Sequence, residues 1–366
     1  MTRGLASADP VGGSPGAAAE EPERSWRDRL PDINDVSLLL IWAILILLFG
    51  LLRPETFLTS LTFKTVAADQ AITAIMALSL LLPLAAGIFD LSIGGVMGIC
   101  VVLVCWFQSS LGMAVVPAIA LTLASGFLIG GINAFVIVRL RVDSFIATLG
   151  MQSILLAAIQ WISGGQQITT GIGEGFKKLG STALFGITLP FWYMIVVALV
   201  LWYVMTYRQT GRYLYAIGSN REGARLAGVR TDRLTVISLL TCSTVAALAG
   251  VVFAAKIGSA SLEAGPPYLL PAFAAAFLGA TQFRARQFNV LGTLIAVYVL
   301  ATGVKGLQLI GAPFWVNDLF NGVALIIAVA FAVRRAEGAG RSLRERLRRG
   351  DGAQGSEQSA VVEGNG

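Results

Sequence analysis

Residues 66–108 read VAADQAITAIMALSLLLPLAAGIFDLSIGGVMGICVVLVCWFQ, two apolar runs joined by a glycine-bounded segment that carries an aspartate, Asp90. A helix of about 17–25 mostly apolar residues crosses a bilayer, and each run is close to that length. The whole chain of 366 residues is 55% hydrophobic and only 13% charged, whereas soluble globular proteins are about 25% charged. The sequence therefore predicts a helical membrane protein.

The same length criterion finds ten apolar runs along the chain. The first and third are short, and the glycine-rich break between the second and third has a second interpretation, a turn at membrane depth. The predicted fold is all-α, a polytopic membrane helix bundle of about ten transmembrane helices. The runs are residues 36–52, 66–86, 93–108, 113–138, 145–163, 190–207, 234–256, 268–283, 288–307 and 315–333.

Basic residues lie at the ends of these runs and sort into two sides when the chain is threaded through ten spans. One side receives 21 of the 27 lysines and arginines, including six arginines between residues 208 and 233, and the other receives six, including all five lysines. Cytoplasmic loops are enriched in Lys and Arg, so both termini are predicted to be cytoplasmic. The net charge of +6 is thus an orientation signal and gives no support to nucleic-acid binding.

Residues 36–333 form the predicted transmembrane domain, with a tail on each side. Residues 1–35 are rich in Gly, Ala, Pro and charge, and predict a disordered cytoplasmic tail without a signal peptide. Residues 334–366 also predict a mostly disordered cytoplasmic tail. Their basic stretch at 341–350 has two interpretations, an amphipathic helix on anionic lipid or a solvated tail, and the tail is favoured.

The sequence lacks several residue types and motifs that common enzyme and metal sites require. The chain has no histidine, which removes histidine-based nucleophile systems and histidine–zinc sites. Cys100, Cys105 and Cys242 lie within apolar runs and are interpreted as small buried hydrophobic residues. No Gly-Lys dipeptide occurs, so the phosphate-binding loop of P-loop ATPases is absent. We therefore expect no enzyme activity, cofactor or metal, which leaves transporters and channels.

Asp90 lies in GIFDLSIGG, residues 87–95, within the apolar region. A carboxylate inside a membrane is costly and usually functional, and the flanking glycines permit a break in the helix. A second interpretation is that Asp90, with Ser92, caps the following helix. Both interpretations stay open at the level of the sequence.

Glycine pairs spaced four residues apart mark two predicted helix-packing sites. These are Gly94 with Gly98 and Gly126 with Gly130, and small residues at this spacing let membrane helices approach closely.

Two long connections stand out. The predicted outer loop, residues 164–189, contains seven glycines and has two interpretations, a partner-docking element or a flexible linker. The predicted cytoplasmic loop, residues 208–233, carries an ordered signal, because Ser219 followed by Glu222 fits a capping box and Gly228 fits a helix stop. A short helix over 220–227 is predicted to lie across the cytoplasmic face.

Seven segments in order over residues 36–335 resemble the membrane-spanning permease subunit of ATP-binding-cassette importers for monosaccharides, of the ribose and autoinducer-2 type. One departure is GATQFRARQFN at 279–289, where ribose-type permeases carry a glycine-rich segment, so the sugar is left open. The matching segments are GIFDLSIGG at Gly87, VDSFIATLGMQSI at Val142, GRYLYAIGSNREGARLAGVRTDR at Gly211, LAGVVFAAKIGSA at Leu248, AAAFLGA at Ala274, VLGTLIA at Val290 and PFWVNDLFNGVALIIAV at Pro313.

The resemblance implies a bacterial inner-membrane complex. Its parts are a second permease chain, identical or related, two ATP-binding cassette subunits and an extracytoplasmic solute-binding protein. It also implies that the 218–228 segment is the coupling helix that docks into a groove of the cassette subunit. The implied coupling residues are Gly218, Ser219, Asn220, Glu222, Arg225, Ala227 and Gly228.

An uncharged sugar needs hydroxyl partners and aromatic faces along its pathway. The candidate pathway residues are Gln70, Phe89, Asp90, Ser92, Asn133, Gln152, Trp161, Phe314 and Asn317. Two alternatives remain: an ion-coupled secondary transporter in which Asp90 titrates, and a passive channel.

Overall fold

The computed structural model describes residues 33–282 and 287–330. The predictions for the chain before and after these ranges, including the basic stretch at 341–350, lie outside the described residues, as does the middle of the 279–289 segment. Helices dominate, and they are α1 Ile33–Leu52, α2 Pro54–Phe57, α3 Ser60–Ser79, α4 Leu81–Ala85, α5 Ile93–Ser109, α6 Val115–Ala134 with a π-helical turn Phe135–Arg139, α7 Ser144–Ser163, α8 Glu174–Ser181, α9 Leu189–Tyr207, α10 Gln209–Ser219, α11 Arg221–Leu226, α12 Thr231–Ile257, α13 Pro266–Gly279, α14 Val290–Leu309 and α15 Trp315–Ala330. A two-stranded antiparallel hairpin, β1 Ala183–Leu184 and β2 Ile187–Thr188, links α8 to α9.

Every predicted apolar run contains a helix, which makes the described chain an all-α membrane helix bundle. Within the described residues, six helical segments are long and apolar enough to span a membrane: Ser60–Ala85, Val115–Arg139, Ser144–Ser163, Leu189–Tyr207, Thr231–Ile257 and Val290–Leu309. Four apolar helices are shorter: Leu38–Leu52, Ile93–Ser109, Pro266–Gly279 and Trp315–Ala330.

The loops identify two ends of the bundle. At the first, which we call the α8 end, Gly180 of α8 packs directly on the backbone of Lys256 at the C-terminus of α12. At the second, the α11 end, Arg221 of α11 pairs with Asp232 in the first turn of α12 at 3.1 Å. The five lysines all lie at the α8 end, namely Lys64, Lys177, Lys178, Lys256 and Lys305. The arginines of the 208–233 segment lie at the α11 end, so these lysines and arginines, all within the described residues, lie at opposite ends of the bundle.

Helix α12 occupies the centre and packs on α3, α5, α6 and α8. Its contact with α6 is backbone-close, because a Cβ on Gly126 would overlap the Cβ of Ala247. Gly130 meets Ser243 one turn along. The packing site predicted at this glycine pair is confirmed.

After α12 the chain turns back into the bundle. Gly265, just before α13, packs so closely on α5 that a Cβ there would overlap the carbonyl oxygen of Gly94. Ser109, the α8-end terminus of α5, is about 22 Å of helix away from Gly94. Helix α13 therefore begins deep inside the bundle, and its 14 residues cover only about 21 Å of a roughly 30 Å hydrocarbon core. It is shorter than the span predicted at 268–283 and follows a re-entrant segment, residues 258–265.

The 164–189 loop is folded, which overturns its interpretation as a flexible linker. Phe176 of α8 is fully buried, and the backbone N–H of Ala260 donates to the carbonyl oxygen of Ile168 at 2.8 Å. These contacts tie the loop to the re-entrant segment, so the loop forms a cap over the α8 end.

The α6–α12 contact yields a stability prediction. Gly126→Ala forces the two helices apart, and overpacking of this kind costs about 1–3 kcal/mol of unfolding free energy. The matched control is Gly150→Ala on α7, where an added Cβ meets nothing within 4 Å and the change raises helix propensity by about 1 kcal/mol. Thermal unfolding of the detergent-solubilised chain should show a lower midpoint for Gly126→Ala alone. Equal midpoints for the two variants would contradict the close contact.

Candidate functional site

The predicted coupling segment forms α11, a helix of six residues that is shorter than the predicted 220–227. Its N-cap is Asn220, whose Oδ1 accepts a hydrogen bond from the Gly223 N–H at 2.8 Å. The capping box predicted at Ser219 is therefore wrong: Ser219 ends α10, and Asn is among the strongest N-cap residues. Gly228 has φ +84°, a conformation that favours glycine, so the predicted stop is confirmed.

The outer face of α11 mixes charged and apolar groups. Glu222 and Arg225 form an ion pair at 2.7 Å, and both side chains are about two-thirds exposed. Leu226 is 79% exposed, whereas Ala224 is buried against the bundle. An exposed pair adds little stability and an exposed leucine buries nothing, so this face is suited to contact another protein.

Helix α11 is linked through α10 to the α4–α5 connection, residues 86–92. Gly218 of α10 packs on Ala85 and Gly87 so tightly that a Cβ there would overlap the Ala85 carbonyl oxygen. The Tyr215 hydroxyl, also on α10, donates to the carbonyl oxygen of Phe288 at 2.5 Å, just before α14. Helix α11 is thus joined, through α10, to the segments that precede α5 and α14.

Asp90 lies in this connection and is fully buried. Its Oδ1 accepts hydrogen bonds from the backbone N–H of Ser92 at 3.0 Å and from the Ser92 hydroxyl at 2.5 Å. The Asn133 amide of α6 donates to the same hydroxyl oxygen at 2.8 Å. Ser92 is the N-cap of α5, but neither its side chain nor that of Asp90 accepts from the first turn of the helix, so the capping interpretation is wrong. Asp90 instead organises the turn before α5.

Side chains of α7 accept from two further backbone donors at the break. The Leu91 N–H donates to the Thr148 hydroxyl at 3.0 Å, and the Gly95 N–H donates to Oε1 of Gln152 at 2.5 Å. The side-chain oxygen of Gln152 is therefore bonded to the backbone of α5. With Asp90, these contacts complete a polar cluster that holds the α4–α5 break.

Phe89 connects the break to α13. Its ring stacks on Phe277 with centroids 6.3 Å apart, and Phe277 meets Phe288 edge-on at 5.4 Å. Helix α10, the break and the C-terminal end of α13 therefore form one packed unit.

A cavity of about 570 Å³ lies between α3, the re-entrant segment, α13, α14 and α15. Its size falls within the range of about 300–1,000 Å³ that is typical of small-molecule sites. The polar lining consists of Gln70, Thr73, Ser261, Glu263, Tyr268, Asn317 and Asn321, and the apolar lining includes Phe253, Pro271, Val297, Leu300 and Ala301.

The candidate pathway residues separate into three groups. Gln70 and Asn317, 247 positions apart in the chain, line this cavity. Four others belong to the polar cluster at the break, namely Asp90, Ser92, Asn133 and Gln152, with Phe89 beside them. Trp161 and Phe314 face outward and are 84% and 90% exposed.

Sequence reasoning missed several residues that the fold brings to these sites. Glu263, Tyr268 and Asn321 line the cavity, and Asp69 pairs with Lys256 at 2.6 Å between α3 and α12. The one feature of the sequence that could have identified Glu263 as a site residue is its position as an acidic residue between two apolar runs. Nothing in the sequence indicated that its segment folds back into the bundle.

The described residues contain no group of three or more His, Cys, Asp or Glu side chains suited to a metal ion. Cys100, Cys105 and Cys242 are buried and unpaired, as their interpretation as small hydrophobic residues requires.

Comparison with known proteins gives a consistent result. The family described as branched-chain amino acid transport system / permease component matches residues 62–329. The ribose import permease protein of Escherichia coli strain K12 is 31% identical over 291 residues, which cover 78% of this chain and 89% of the relative. The autoinducer 2 import system permease protein of Escherichia coli O9:H4 is 28% identical over 298 residues, 81% of this chain and 86% of the relative. No solved structure matches the chain.

The hydrogen bonds of Asp90 in the polar cluster predict the relative thermal stability of two Asp90 variants. Asp90→Asn retains an acceptor for the Ser92 N–H, whereas Asp90→Leu removes it and leaves buried donors without partners, at about 1–3 kcal/mol for each group. Thermal midpoints of the purified chain should fall in the order wild type, Asp90→Asn, Asp90→Leu. A leucine variant as stable as the asparagine variant would show that the hydrogen bonds of Asp90 do not hold the turn.

Proposed function

The chain belongs to the permease-component family of the branched-chain amino acid transport system, and on this premise we propose that it forms the membrane pathway of an ATP-binding-cassette importer for a sugar or sugar-like solute. The relatives that match over most of their length are import permeases for ribose and for autoinducer 2. A permease component of this kind is not an enzyme, because ATP is hydrolysed in separate subunits.

The observation that carries the proposal is the geometry of α11. This helix presents Glu222, Arg225 and Leu226 on an exposed face, and its neighbour α10 packs through Gly218 on the α4–α5 break. An ATPase subunit that binds the exposed face of α11 is therefore connected, through the packing of α10, to the interior of the bundle. The proposed coupling set is Gly218, Ser219, Asn220, Glu222, Arg225, Ala227 and Gly228, with Leu226 added.

In the proposed mechanism two cassette subunits dock on the α11 helices of two permease chains. ATP-driven closure of the cassettes moves each α11, and α10 carries the displacement to the break and, through Phe89 and Phe277, to α13. The bundle then exchanges between openings toward its two ends, since a packed core has discrete arrangements and does not deform continuously.

The proposed topology has ten crossings with the α11 end in the cytoplasm of a bacterial inner membrane. The arginine-rich α11 end and the lysine-bearing α8 end support this orientation through the enrichment of basic residues in cytoplasmic loops. The α8 end, capped by the folded 164–189 loop, then receives the extracytoplasmic solute-binding protein. The tails at 1–35 and 334–366 remain predicted to be cytoplasmic and disordered.

The ion-coupled alternative is not favoured. Its central residue, Asp90, is fully buried and bonded to Ser92 in the turn before α5. The relatives are permease components of import systems, which gives no role to a titrating carboxylate as the source of energy.

The coupling role of α11 is tested by reversing one charge. Glu222→Lys breaks the pair with Arg225 and places a positive charge on the docking face, so we expect the cassette subunits to copurify at least about tenfold less and solute-stimulated ATP hydrolysis to disappear. Cassette binding is measured by pull-down of the assembled complex from membranes.

The matched control for this variant is Glu174→Lys. Glu174 is also exposed and also pairs with a basic residue three positions on, Lys177, at 2.7 Å, and this hydrogen bond lowers the pKa of Glu174. It lies at the opposite end of the bundle, so its reversal should leave cassette copurification unchanged. Normal cassette binding by Glu222→Lys would refute the assignment of α11.

A further inference from the structure

The cavity between α3, the re-entrant segment, α13, α14 and α15 has a chemistry that selects a class of solute. We propose that it is a binding site for a neutral polyhydroxylated solute, in which Glu263 and the Gln70 and Asn317 amides hold hydroxyl groups and Tyr268 supplies a ring face. The proposal rests on the importer function above and assigns the residues that hold the sugar-like solute within it.

The position of the cavity fits a site on a transport path. Its floor includes Pro267 and Tyr268 from the first turn of α13, which begins deep in the bundle, and its side includes Ser261 and Glu263 from the segment that descends from the α8 end. Binding sites near the membrane midplane are commonly built at discontinuous helices of this kind, because irregular backbone at this depth is tolerated where it lines a cavity.

The polar groups match hydroxyl groups. The amides of Gln70, Asn317 and Asn321 each offer donors and acceptors, and the hydroxyls of Thr73 and Ser261 offer both in one group. A sugar hydroxyl likewise donates one hydrogen bond and accepts others. The carboxylate of Glu263 accepts from two neighbouring hydroxyls, and charge-assisted hydrogen bonds of this kind are about twice as strong as neutral ones.

The charges argue against other solute classes. Glu263 is the one charged side chain among the described residues that line the cavity, and none of them is a lysine or arginine. The nearby cation Lys256 is held by Asp69 at 2.6 Å. An anionic solute would be repelled, and the carboxylate of a zwitterionic amino acid would find no cationic partner. A cationic solute would pair with Glu263 but leave the amides on the opposite walls unused.

The apolar walls complete the fit. Tyr268 is fixed edge-on against Phe253, with ring centroids 5.7 Å apart and planes at 73°, so one ring presents a stable surface to the cavity. Val297, Leu300 and Ala301 of α14 form the facing wall. A pyranose or furanose ring has a C–H face between its hydroxyl edges, and mixed walls with a few placed polar groups suit such a ligand.

The test uses the assembled complex with its cassette subunits and solute-binding protein in proteoliposomes. Solute-stimulated ATP hydrolysis and uptake are measured with ribose, xylose and galactose, and with leucine, lysine and glutamate as zwitterionic, cationic and anionic probes. The expected result is stimulation and uptake by at least one neutral sugar and by none of the three amino acids. Preference for an amino acid overturns the solute class stated here and in the proposed function, while ATP-driven import by the complex stands.

Three cavity variants test the site itself: Glu263→Gln, Gln70→Leu and Tyr268→Leu. Each should lower uptake kcat/KM for the transported sugar by about tenfold or more, while the cassette subunits still copurify. The control replaces a glutamine outside the cavity, Gln160→Leu on the exposed face of α7. Uptake by this control should stay within about twofold of wild type.

The outcomes separate the two proposals. Wild-type uptake by all three cavity variants, together with loss of cassette binding by Glu222→Lys, overturns the site and retains the importer function. Failure of wild-type chain to copurify with any cassette subunit overturns the importer function, on which the site proposal also depends.

Discussion

A chain that leaves its helix inside a bilayer must satisfy every freed backbone N–H and C=O from within the protein, because hydrocarbon supplies no hydrogen-bond partner. At the α4–α5 break, polar groups are bonded by side chains of the break itself and of α6 and α7. The Asp90 carboxylate accepts from Ser92 within the turn, and Asn133 of α6 donates to Ser92. Thr148 and Gln152 of α7 accept from the backbone N–H groups of Leu91 and Gly95. The positions of α5, α6 and α7 relative to one another follow from this arrangement.

The same break is where the interior meets the proposed ATPase contact. Gly218 approaches the backbone of Ala85 and Gly87 without a side chain between them, so α10 and α11 are attached to the break by direct backbone packing. A flexible side chain at this point would absorb a displacement by changing rotamer. Backbone packing transmits it, which is the property that coupling requires.

Much of this was predictable from the sequence, and the failures have identifiable causes. Asp90 and its flanking glycines were visible because a carboxylate within an apolar run is rare. The N-cap of α11 was misplaced by one residue because Ser219 and Asn220 are both good caps. The choice between them depended on α10 continuing through Ser219.

The cavity was harder to predict, because its polar residues come from distant parts of the chain. Gln70 and Asn317 were chosen for their chemistry alone, and their meeting is a property of the tertiary fold. Glu263 was not chosen, since its segment reads as an ordinary short loop between two spans. Hydropathy records how apolar a segment is, but it does not record that a connection folds back to the depth of α5.

The two discontinuities of the bundle meet each other. Gly265, at the end of the re-entrant segment, packs on the carbonyl of Gly94 in the first turn of α5, immediately after the α4–α5 break. One side of this contact is anchored to α10 and α11 through the break, and the other side leads into α13 and the floor of the cavity. No side chain separates the two backbones here, as at Gly218, so this contact likewise transmits a displacement. In the proposed mechanism this contact is where a displacement that begins at the ATPase face changes the shape of the solute site.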